Sequence, residues 1–147
     1  MCGAHAAVRT LVGEMVEQYD RPTVIDMEAG LEHLSRGTVR NVDCLLIVIE
    51  PYFKSMETGA RMNGLAKELG VEYVYCIANK VRGAEDESAI RDFCSNRDMA
   101  LFGVVPNDES LLQAERQGVA PLDHEKECPA VLAIARIAEK LFANSRN

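Results

Sequence analysis

The chain has 147 residues, enough for one domain around one hydrophobic core. Apolar residues make up 48% and can fill that core, while 27% charged residues can coat it. A formal net charge of -7 argues against a partner gripped through nucleic-acid phosphates, which requires a basic stripe.

No apolar run approaches the length of a membrane span; the longest, Cys44-Leu45-Leu46-Ile47-Val48-Ile49, is strand-sized. The opening residues show neither the charged nor the apolar part of a signal peptide, so a cytoplasmic location is expected. The five cysteines are odd in number and scattered, which speaks against a disulfide framework. Cys44 and Cys76 lie inside apolar runs, where a thiol serves as a small buried hydrophobe.

In chain order, Val8, Leu11, Val12, Met15 and Val16 recur at helical spacing and predict a helix over residues 4–19. Arg21-Pro22 breaks it, and Thr23-Val24-Ile25-Asp26 reads as a short strand. Asp43 introduces a second strand over residues 44–49, closed by Glu50-Pro51. Met62, Leu65, Ala66 and Leu69 mark the buried side of a helix from about Ser55 to Gly70, a residue suited to ending it.

Residues 72–78, rich in β-branched and aromatic side chains, predict a third strand. Residues 88–97 form a short helix with Ile90, Phe93 and Cys94 inward, and residues 101–105 a fourth strand ending at Pro106. Asn107 or Asp108 can cap the next helix, which runs to Gln117 and ends at Gly118. Pro129 suits the first turn of a last helix, whose apolar face is expected at Val131, Ile134, Ala135, Ala138, Leu141 and Phe142.

Strands that are nearly all apolar and alternate with helices indicate an α/β fold: four mainly parallel strands covered by helices on both faces. Ligands of such sheets bind beyond the C-terminal strand ends. Four polar clusters occupy those ends: Asp26-Met27-Glu28-Ala29-Gly30, Glu50-Pro51, Asn79-Lys80 and Pro106-Asn107-Asp108. Turn chemistry alone accounts for many such residues, and for Asn79 and Asn107 it serves at least as well as a ligand contact. Asp26 is different, because an acid directly after Val-Ile at a buried strand end needs a strong partner such as a metal-bound water or backbone donors.

Taken together these clusters resemble the second half of the MinD/ParA/nitrogenase-iron-protein class of P-loop ATPases. Asp26 to Gly30 is similar to its Asp-x-x-Ala-Gly switch, Asn79-Lys80 to its base-reading pair, and Pro106-Asn107-Asp108 to its Pro-x-Asp loop. The continuation Leu31-Glu32-His33-Leu34-Ser35-Arg36-Gly37, and a Cys-containing segment running into a helix from Cys2 to Arg9, resemble more narrowly the CooC-type nickel-insertion ATPases that accompany carbon monoxide dehydrogenase. The resemblance covers essentially the whole chain and implies a partial P-loop NTPase layer, residues 1–147 being one shortened nucleotide-binding domain. It also implies roles: Asp26 on the magnesium side through water, Gly30 sensing the γ-phosphate, Asn79 and Lys80 with residues 106–108 at the adenine, and Glu32, His33 and Arg36 on a moving switch near a dimer surface. ATP and magnesium are the family's ligands.

Two departures qualify that picture. No Gly-x-x-x-x-Gly-Lys-[Ser/Thr] occurs in the sequence, so the backbone N–H groups and lysine that grip phosphates are not among these residues, and tight ATP binding is not expected. Where the family has Cys-x-Cys, Met1 stands at the middle position and only Cys2 is present; a nickel or zinc site there lacks its paired thiolates, and a free thiol is the favoured reading.

The phosphate-loop strand of the family lies between the strands ending at Asp26 and Glu50. A homo-oligomer that covers the resulting apolar gap is therefore expected. A chain bearing a phosphate loop and carbon monoxide dehydrogenase are further partners the resemblance suggests; nucleic acid and membrane are not. A dimerising or metal-carrying module without catalysis, and one half of a split ATPase, are the competing readings. The purified 147-residue chain is expected to release no phosphate from ATP above a buffer control, and stoichiometric turnover would overturn this.

Overall fold

In this computed structural model, residues 23–27 and 42–144 are described. Their elements are β1 (Cys44–Ile49), α1 (Phe53–Glu68), β2 (Tyr73–Val81), α2 (Ala84–Asn96), β3 (Ala100–Pro106), α3 (Glu109–Gln117), α4 (Pro121–His124) and α5 (Pro129–Asn144). The sheet order is β1-β2-β3, with β2 and β3 parallel. The α/β class is as expected, but the sheet among the described residues has three strands rather than four.

The missing member is the strand read over Thr23 to Asp26. Residues 23–27 carry no regular secondary structure, and Val24 is 87% exposed. A strand exists only where a neighbour completes its ladder, and an apolar pair such as Val24-Ile25 does not supply one. The expected helix over residues 4–19 lies outside the described residues.

The chain forms two compact units, Met1–Leu45 with Arg61–Val74 and Leu46–Ala60 with Tyr75–Asn147. In the first, the fully buried Ala66 is surrounded by Met27, Val42, Leu45, Met62, Leu65, Leu69, Val71 and Val74. Helix α1 stops before Gly70, whose φ of 78° is the left-handed conformation expected at a helix end.

In the second unit the core gathers Ile77 of β2, Val105 of β3, Cys128, and Ala130 and Val131 of α5, with Phe102, Leu111, Ala133 and Ile137 packed against them. Cys76, Ile77 and Ala78 are buried in succession, as in a strand covered on both faces. β1 departs from that expectation: Ile47 and Ile49 are buried, whereas Leu46 and Val48 are exposed, the latter by 59%.

The face of α5 also differs from its prediction. Ala130, Val131 and Ile137 point to the core, while Ile134 is 50% exposed and Ala135 and Phe142 are exposed as well. The sequence Pro-Ala-Val-Leu-Ala-Ile-Ala-Arg-Ile-Ala is apolar around most of the helix, so spacing alone does not select a side. The sheet selects it: a Cβ built on Gly103 of β3 would meet Ile137 Cγ1 at 2.5 Å and Cδ1 at 2.6 Å, so the absent side chain is the slot Ile137 fills. Gly103→Ala is expected to destabilise the chain by about 1–3 kcal/mol through overpacking, and Ile137→Ala in the same background to recover part of the loss. Urea unfolding of both variants checks this, and an unchanged midpoint for Gly103→Ala would contradict it.

Candidate functional site: the rim at the strand ends

The site residues of the second unit sit where β1, β2 and β3 finish. β2 runs three residues further than predicted, so Asn79 and Lys80 lie inside the strand rather than after it. Its register against β3 breaks between Ala78 and Val81, and Val81 pairs with Pro106. Asn79 and Lys80 thus form an irregular stretch, with Lys80 at φ 56°, a conformation that L side chains avoid. Bulges of this kind redirect side chains at sheet ends.

Pro106 has no N–H with which to continue the ladder. The next residue makes the closing bond instead, Asn107 N–H donating to Val81 O at 2.9 Å. The structure therefore brings the stretch 79–81 and the loop 106–108 together, and Asn79 is half-buried beside it.

Asp108 is the N-cap of α3, accepting from Ser110 N at 3.0 Å through Oδ1. Its other oxygen, Oδ2, accepts from Ala130 N at 3.0 Å in the first turn of α5. One carboxylate thus holds the starts of two helices and ties residues 106–108 to both. Helix α3 ends as predicted at Gly118, with φ 67°. Of the two caps the sequence offered, Asp108 is the one used.

On the other side of β2, Lys80 Nζ meets Glu50 Oε1 at 2.8 Å. This hydrogen bond, together with the nearby carboxylate charge, raises the pKa of the ammonium. Glu50 stands at the end of β1; its own N–H donates to Ser55 Oγ at 2.9 Å, and its carbonyl accepts from Tyr52 N at 2.8 Å. Beside this ion pair opens a cleft of about 600 Å³ lined by Glu50, Tyr52, Lys80, Arg82, Glu85 and Asp86, among others. Within this lining Asp86 accepts from Arg82 N at 2.9 Å. The cleft is a size that takes a small ligand.

The sequence marks Glu50 only as part of a strand-end cluster and gives no signal for Tyr52, Arg82 or Asp86. The signal for Glu50 was present, since it follows a buried apolar strand as Asp26 follows Val-Ile. Asp26 is exposed and belongs to the first unit. Cys2, Gly30, Glu32, His33 and Arg36 lie outside the described residues. Among the described residues no three His, Cys, Asp or Glu side chains converge as a metal site requires. No helix of the described residues is long and apolar enough to cross a membrane.

The rim geometry can be set beside known proteins. The carbon monoxide dehydrogenase accessory protein CooC of Rhodospirillum rubrum is 39% identical over 128 residues, covering 87% of this chain and 48% of its own length. The chain is a relative of the CooC proteins. An uncharacterised ATP-binding protein of Methanocaldococcus jannaschii is also 39% identical, over 80% of this chain and 46% of its own. The chain spans about half the length of the curated relatives it matches.

Among solved structures, the MinD cell division protein of Aquifex aeolicus superposes with a TM-score of 0.68 at 22% identity, over 95% of this chain and 61% of that one. In the MinC:MinD complex from the same organism the TM-score is 0.74 at 20% identity, over 95% and 59%. At these identities the likeness shows a MinD-like fold. No family model matches the chain.

Asp108 gives a test of the rim's construction. The Ala130 N–H, and after it the Ser110 N–H, hold its carboxyl below the usual range, with partial burial working the other way. A carboxyl depressed on folding contributes stability that is present above the ordinary aspartate range, near pH 4, and is lost as pH falls through the folded value. Asp108→Ala is expected to cost about 0.5–2 kcal/mol at pH 7. The stability difference between wild type and Asp108→Asn should shrink as unfolding is measured from pH 6 down to pH 3; a difference independent of pH would refute the assignment.

Proposed function

We propose that these residues form the base-side half of an adenine-nucleotide site, in an ATP-dependent accessory protein of a metalloenzyme of the carbon monoxide dehydrogenase kind. The observation that carries the reading is the Asn107–Val81 hydrogen bond, which sets Asn79 and the loop 106–108 side by side at the C-terminal strand ends, where ligands of parallel sheets bind. The 39% identity to CooC and to an ATP-binding relative supports the choice of ligand.

In this reading the half-buried Asn79 offers an amide to the adenine edge, and Pro106 and Asn107 wall the base. Asp108 holds that wall by capping α3 and α5 rather than by touching the ligand. Lys80, tied to Glu50, stands on the opposite side of β2 from this wall. Asp26 and Gly30 belong to the magnesium and γ-phosphate side, with Glu32, His33 and Arg36 on the switch. Phosphate-gripping residues are not among the 147, so the chain holds the base without turning ATP over. Nickel delivery is the role this reading assigns to the whole protein, and Cys2 has no part in the step argued here. The exposed Leu46 and Val48 of β1 support a packing partner, either a second copy or a segment bearing the phosphate loop.

Adenosine titrated into the isotopically labelled chain should shift the amides of residues 79–81 and 106–108. Asn79→Ala should weaken that binding about fivefold, the worth of one hydrogen bond of about 1 kcal/mol. Shifts confined to other residues, or none at all, would remove the reading.

A further inference from the structure

The irregular stretch of β2 is held from both sides. Toward β3, Val81 O accepts from Asn107 N; toward β1, Lys80 reaches Glu50. A non-glycine residue at φ 56° persists only where its surroundings over-determine it. A lysine on an exposed strand end would otherwise have its full rotamer freedom.

Glu50 is well placed to remove that freedom. Its backbone is fixed in a tight turn, by its N–H to Ser55 Oγ and by Tyr52 N–H to its carbonyl, so its carboxylate projects from a rigid base. The ion pair is a poor candidate for a stabilising device, because the side chains are 59% and 30% exposed and such pairs contribute little to stability. It does hold the side chain of Lys80, which with Asn79 makes up the pair of residues that leave the register.

We propose that Glu50 is a positioning residue: through Lys80 it holds the left-handed turn in β2 that presents Asn79 to the ligand, and it does not contact the ligand itself. The ligand role rests on the adenine-nucleotide reading above; the conformational role does not.

The test uses the full chain and three variants. Glu50→Gln keeps the shape and the backbone bonds but removes the charge. Glu50→Asp keeps the charge, and Lys80→Gln removes the other partner. Glu50→Gln is expected to shift the Lys80 HN–Hα coupling toward that of extended strand, to move the amides of residues 79–81, and to weaken adenosine binding about threefold to fivefold while leaving the unfolding temperature within about 2 °C. Glu50→Asp should restore the wild-type coupling and affinity, because the lysine can reach the shorter side chain. Glu50→Gln combined with Lys80→Gln should cost no more affinity than either alone, as two members of one pair require.

A Glu50→Gln chain with the wild-type Lys80 coupling and unmoved amides overturns the proposal. If Asn79→Ala weakens adenosine binding and Glu50→Gln does not, the positioning role falls and the nucleotide reading stands. If the wild-type chain ignores adenosine, the nucleotide reading falls and the ligand role of Glu50 with it, while the coupling constant still decides the conformational role.

Discussion

Everything at the rim depends on how a parallel sheet stops. When β2 and β3 end side by side, the backbone groups beyond the last ladder bond must find partners locally or in water. Pro106 removes one donor from that count, and Asn107 supplies the final one to Val81 O. From there the chain turns into α3, whose first N–H groups need an acceptor. Asp108 provides one and reaches α5 with its second oxygen. Three successive residues thereby end a strand, close a ladder and start two helices. A loop so fully committed has its backbone ends tied by three hydrogen bonds, which suits the binding wall proposed for it.

The β1 side of β2 is built differently. There β1 is the neighbouring strand in the sheet, and at the rim the side chains of Lys80 and Glu50 form an exposed ion pair beside an open cleft. The backbone departs from standard geometry at Lys80, and departures of this kind gather at functional sites because they are retained only where something needs them. The rim is therefore tied by backbone and capping bonds along β3 and by a side-chain ion pair toward β1. The uncovered Leu46 and Val48 lie on that same strand β1. The sequence relatives are about twice as long as this chain, and the MinD-like structures share its fold over nearly all of its length.

Local signals are legible where the chain's own chemistry decides them. The end of α1 before Gly70, the cap at Asp108, the stop at Gly118 and the start of α5 at Pro129 each follow from one residue's backbone preference or hydrogen-bonding group. Such signals are not legible where a distant neighbour decides. The Val-Ile pair before Asp26 has strand character, yet residues 23–27 join no ladder. Helix α5 offers apolar side chains on nearly every side, and the gap at Gly103 picks Ile137 over Ile134.

The amino-acid sequence by itself determined the α/β class, the strand ends that carry polar residues, and the resemblance that the 39% identity to CooC now shows. These follow from composition, periodicity and short motifs, which are properties of neighbouring residues along the chain. Tertiary structure alone decided that Lys80 faces Glu50 thirty positions away, that Asp108 serves α5 as well as α3, and that β1 keeps one apolar face exposed. Each of those outcomes depends on which strand lies beside which, and a pattern along one segment does not contain that distance.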